Sequence, residues 1–175
     1  MGHRQARAAA TVLGCVAIYA ALGAGSESDF ELSAFHVFLV GKPKMVVHDA
    51  IAGAVRRLAK PECQRIFDDF EDSNSQPLAE ILRLLRTTPS QFLIGLYFVD
   101  GQGSSQCASS PSTAAFTEPG SRVIYVCGDR FAERFARKTS GGEILIIHEL
   151  LHTLGLGENP PTSAQITDRV WARCR

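Results

Sequence analysis

An excess of charge of either sign is the first thing this sequence lacks. Its 175 residues carry 18 Lys and Arg against 18 Asp and Glu, a formal net charge of zero. Nucleic-acid binding draws on a surplus of basic side chains over phosphate, so that class is set aside. The chain has no internal repeat, long charge run or low-complexity tract, and 45% of its residues are hydrophobic. That is the balance of a globular domain with enough core to fold. Closely spaced cysteine pairs are also missing: no two cysteines stand at the short spacing that thiolate zinc sites use.

The N-terminus differs from the rest. His3, Arg4 and Arg7 precede residues 8–25, which contain no charge and end in small residues. A basic start, a short apolar run and a small-residue end describe a secretory signal peptide, and Ala21-Leu22-Gly23 or Gly23-Ala24-Gly25 suits the cut. Two other readings stay open. About 18 apolar residues also suffice for a membrane anchor, and Val12-Leu13-Gly14-Cys15 has the form of a lipoprotein signal. Each exports a domain spanning residues 26–175, to the periplasm or the exterior, free or anchored at the membrane. Beyond Cys15 the cysteines are Cys63, Cys107, Cys127 and Cys174, an even number suited to disulfides in an oxidising compartment. Four cysteines allow three pairings. Cys107–Cys127 is the favoured one, because it would pin a long loop, and it leaves Cys63–Cys174.

Helices come first along the chain. Pro43 opens one whose inner positions are Met45, Val46, Ile51, Val55 and Leu58. Pro61 opens a second, with Ile66, Phe67 and Phe70 inward, and Gln76-Pro77 a third, with Leu78, Ile81, Leu82 and Leu85. Thr87-Thr88-Pro89-Ser90 ends it. The middle reads as strands at residues 92–99 and 122–127, separated by a Gly-, Ser- and Pro-rich loop over 101–121. A loop that long needs a function or a tether. Residues 143–154 then form a helix stopped by Gly155, with Ile144, Leu145, Ile146, Ile147, Leu150, Leu151 and Leu154 on all its sides. A helix apolar all round is a buried one. A last helix over 163–172 returns Ile166, Val170 and Trp171 to the core.

Two histidines and a glutamate in a buried helix need a reason, and His148-Glu149-Leu150-Leu151-His152 supplies it. Residues four apart on a helix share a face, so both imidazoles can reach one tetrahedral ion. Glu149 lies about 100° around the axis, beside the ion, where a carboxylate can take a proton from an activated water. Burying three titratable groups with no metal would be costly.

The stretch His148 to Glu158 resembles the zincin metallopeptidases, in the extended form HExxHxxGxx(H/D). The resemblance covers residues 144–158 closely and the strand ahead of the helix loosely. It implies an α+β, zincin-like fold: a small sheet packed on helices, with a buried central active-site helix. It also implies one zinc per chain, Gly155 turning the chain back, and Glu158 as third ligand after His148 and His152. Glu149 would be the catalytic base, and a peptide or protein would be the substrate, bound along a strand beside the cleft. Glu158 stands where that pattern has His or Asp. No methionine follows Met45, so the Met-turn of the metzincins is absent. Asp168 is the alternative third ligand. Tyr125 is read as a core residue or an oxyanion partner, and Asp129 as a turn residue or a carboxylate orienting a histidine. Asn159-Pro160-Pro161 reads as a stiff segment beside the metal, either a substrate wall or the end of a turn, and His36 and His48 as packing residues. Two rival functions remain: a secreted binding or structural protein stabilised by zinc, and a zinc amidohydrolase acting on a non-peptide. Specificity is expected from residues 100–121 and 157–163. The oligomeric state is not legible.

Overall fold

The structure is a computed structural model and describes residues 35–175. The N-terminal signal or anchor lies outside the described residues, as does Cys15. In chain order the elements are β1 (His36–Phe38), α1 (Gly41–Leu58), α2 (Pro61–Gln64) with a 3-10 turn at Arg65–Phe67, and α3 (Leu78–Leu84). They continue with α4 (Pro89–Ile94), β2 (Tyr97–Asp100), α5 (Ser105–Ser109), β3 (Ala115–Phe116) and β4 (Val123–Val126). The chain closes with α6 (Gly128–Phe135), α7 (Thr139–Thr153) and α8 (Ser163–Arg173).

This is a mixed α and β fold, with a small sheet laid on helices. The four strands run in the order β1-β2-β4-β3. β1, β2 and β4 are parallel, and β3 is antiparallel to β4 at the edge, with Ala115 opposite Val126 and Phe116 opposite Tyr125. Alternation along the strands separates two faces. Phe98, Ile124 and Val126 are buried against the helices, while Phe38, Tyr97 and Tyr125 are exposed on the other face.

Helix α7 runs through the core beside α1, and Gly142 allows the two to meet. A Cβ on Gly142 would come within 3.2 Å of the Ala50 side chain and 3.3 Å of Phe135. The helix begins at Thr139, four residues ahead of the start at 143 expected from the sequence. Ile144, Ile146, Ile147, Leu150 and Leu151 are all buried, which matches a helix that is apolar all round.

Several elements differ from the sequence reading. Thr87-Thr88-Pro89-Ser90 starts a helix instead of ending one. Thr88 Oγ1 accepts the Gln91 backbone N–H at 3.2 Å, and Gln91 Oε1 accepts the Thr88 N–H at 3.2 Å. This capping box with proline at N1 puts Phe92 and Leu93 on α4 and delays the strand to Tyr97. Gly128-Asp129 opens α6, whose Phe131, Ala132 and Phe135 recur at helical spacing on its buried side. β1 was not anticipated. Met45, expected inside, is exposed, and Val47, Ala50 and Ala54 take the inner face of α1.

The 101–121 segment contains α5 and β3, and it is tethered as expected. Cys107 is bonded to Cys127, and Cys63 to Cys174. Arg130 reinforces the tether from α6 by donating to the carbonyl oxygens of Cys107, Ser110 and Thr113. No helix among the described residues is long and apolar enough to cross a membrane. The two disulfides fit an oxidising compartment.

Candidate metal centre

The end of α7 builds most of the site. Gly155 N–H bonds to the His152 carbonyl at 2.8 Å and Leu156 N–H to the Leu151 carbonyl at 3.2 Å, the pair of bonds that defines a Schellman turn. Gly155 has φ +105°, in the region where glycine is the default residue. The turn aims the Leu156 carbonyl back at the helix, where it accepts from His152 Nδ1 at 2.7 Å. It also carries the chain round to Glu158. The following Asn159-Pro160-Pro161 is a tight turn, the second of its two readings: Asn159 N–H donates to the Pro161 carbonyl at 2.8 Å.

Three side chains converge as a result. The Nε2 atoms of His148 and His152 are 3.1 Å apart, and Glu158 Oε1 lies 3.3 Å from His152 Nε2 and 3.8 Å from His148 Nε2. Ligands at about 2.0–2.1 Å from one tetrahedral ion sit roughly 3.3 Å from each other. The His148–His152–Glu158 group fits that requirement and can hold a metal ion. Both Nδ1 atoms are engaged elsewhere, His152 on Leu156 and His148 on Thr167 Oγ1 at 3.0 Å. The Nε2 lone pairs are left for the ion. Burial, with His152 adding to it, lowers the His148 pKa to about 3, so the ring stays neutral, the form that ligates.

Glu149 lines the same cavity as His148, a space of about 400 Å³. Its Oε2 is buried with no hydrogen-bond partner. Burial, and secondarily the charge of Glu158, push its pKa up to about 8. Phe135, Ile144, Leu145 and Trp171 give the cavity apolar lining, Thr113, Ser163 and Thr167 polar lining, and Ala114 and Ala115 at β3 also border it.

No family model matches the chain, and no curated protein or solved structure matches it.

Glu158, not Asp168, is the carboxylate brought to the histidines. Asp168 faces a separate groove with Asp69, Phe70 and Pro161. Asp129 is exposed in the first turn of α6. The groups within hydrogen-bond distance of the histidine Nδ1 atoms are the Leu156 carbonyl and Thr167 instead. Tyr125 is on the open face of the sheet, stacked on Phe116 with ring centres 5.2 Å apart. His48 packs against Phe35, as expected, while His36 stacks on Tyr97 at the surface. Thr167 escaped the sequence reading, which examined Ile166-Thr167-Asp168 only for its acid. Its one signal is the four-residue spacing of Ser163, Thr167 and Trp171 along α8.

Proposed function

We propose that this chain is an exported zinc-dependent hydrolase of zincin type that cuts peptide bonds. His148, His152 and Glu158 hold the metal, and Glu149 is the general base. The observation that carries the reading is Glu149 itself. A buried carboxyl with an unpartnered oxygen borders one cavity with His148, beside a three-donor group. Such a group is a liability to folding unless it handles a proton.

Zinc bound by these three residues would act as a Lewis acid, polarising a carbonyl and lowering the pKa of water toward about 7. The chain's own contribution follows from the geometry. His148 and His152 are held through their Nδ1 atoms, with their Nε2 atoms toward each other and toward Glu158. Glu149, which borders the cavity beside the three donors, would take the proton of the attacking water and return it to the leaving amine. β3 is an edge strand, and Ala114 and Ala115 border the cavity, so an extended peptide can add to that edge with its scissile bond near Glu149.

Zinc held only for stability would call for a fourth protein ligand. Among the described residues three form the group, and the four described cysteines are consumed in disulfides. An open position and a base favour turnover. The test is cleavage of an unfolded protein mixture with and without chelator, by wild type and Glu149→Gln. The variant should keep its zinc and melting temperature and lose about 10²–10⁴-fold in rate. Cleavage by Glu149→Gln at the wild-type rate removes the mechanism.

A further inference from the structure

We propose that Thr167 is a positioning residue of this metal site, its hydroxyl holding the His148 ring so that Nε2 faces His152 and Glu158. The inference rests on the metal reading above. Thr167 Oγ1 is 3.0 Å from His148 Nδ1, across 19 residues of sequence. A hydroxyl oxygen can receive the Nδ1–H, which leaves the lone pair on Nε2. Without it, that N–H lies in a buried pocket with no acceptor, and the ring is free to turn.

The two histidines are thus fixed by different parts of the fold. His152 is fixed locally, by the Leu156 carbonyl of the turn that follows it. His148 is fixed by a separate helix, so the placement of α8 decides its orientation. That placement is strongly determined. A capping box of Thr162 and Gln165 starts α8, and Ile166 and Val170 are buried in the core. At its other end Cys174 is bonded to Cys63, and Arg173 donates to both carboxylate oxygens of Asp69 at 2.8 Å. Ser163, Thr167 and Trp171 all line the cavity that contains Glu149. One stripe of α8 therefore walls the cavity and orients a ligand.

The experiment measures zinc affinity by competition with a chromophoric chelator, for wild type, Thr167→Val, Thr167→Ser and the control His152→Ala. Thr167→Val keeps the shape and removes the hydroxyl; affinity should fall about 10- to 100-fold, the usual effect of losing such a partner. Thr167→Ser should stay close to wild type. Melting temperatures in excess chelator should agree among the three, which a purely structural role for Thr167 would not produce. Should Thr167→Val fail to fold, Thr167→Ala carries the same comparison. Equal affinity of wild type and Thr167→Val, or a Ser variant as weak as the Val variant, overturns the role of Thr167 alone. A wild type that binds no zinc, like His152→Ala, overturns the metal reading with it.

Discussion

Gly120 donates its backbone N–H to the carbonyl oxygen of His152 at 2.9 Å. The bond ties the connection between β3 and β4 to the last turn of α7. The edge strand proposed to carry the substrate is thereby registered on the helix that carries two metal ligands and the base.

Protein purified without chelator should contain about one equivalent of zinc, because three donors at ligand spacing leave a single site. Metal analysis checks this. His152→Ala removes one of the two closest donors and should purify with little zinc; full occupancy in that variant would refute the site.

Glu158 and Asp168 should separate cleanly. Glu158→Ala is expected to weaken zinc binding and turnover together, since Oε1 stands 3.3 Å from His152 Nε2. Asp168→Ala should leave affinity unchanged, because its side chain borders a different groove. Chelator competition on both variants is enough. The opposite ranking would move the third ligand.

Gly155→Ala tests the turn. At φ +105° an added Cβ would also lie 3.0 Å from the Asp72 Cβ. The left-handed backbone alone costs an alanine about 1–2 kcal/mol, or roughly 3–6 °C in a domain of this size. Zinc affinity should fall as well, since the Leu156 carbonyl and Glu158 both depend on that turn. An unchanged melting temperature would contradict the assignment.

Native protein should present no alkylatable thiol among Cys63, Cys107, Cys127 and Cys174, as intact mass before and after reduction will show. The Cys63–Cys174 bond closes a separation of 111 residues, against 20 for Cys107–Cys127, and serine replacement of either pair opens that loop. On chain entropy the losses are about 5 and about 3 kcal/mol. Urea unfolding should rank the two in that order.

Acid should act through Asp69. Hydrogen bonds from Arg173 outweigh its partial burial and hold its pKa below the ordinary value of 3.8. The folded value being the lower one, the pair's contribution is complete above about pH 4 and disappears as pH falls further. Melting temperatures of wild type and Asp69→Asn should therefore differ at pH 6 and draw together as the pH falls below about 4. A constant gap would mean that Asp69 does not titrate as described.

What the sequence determined by itself is local. Helical periodicity places His148 and His152 one turn apart, glycine at 155 ends their helix, and three more residues reach Glu158. All of this is fixed within a dozen positions by dihedral preference and helical pitch. The start of α4 and the whole of α6 were equally local, in Thr88-Pro89-Gln91 and in Phe131 and Phe135, although the sequence reading ends a helix at residues 87–90 and assigns no element to residues 130–138. The rest was decided by packing between segments far apart in sequence. Only the tertiary structure brings Thr167 onto His148, lays β3 along the cavity of Glu149 and buries that carboxyl without a partner. A side chain's spacing along one helix sets the face it occupies. What stands opposite that face depends on how the other elements pack to bury apolar surface, and no local pattern records that.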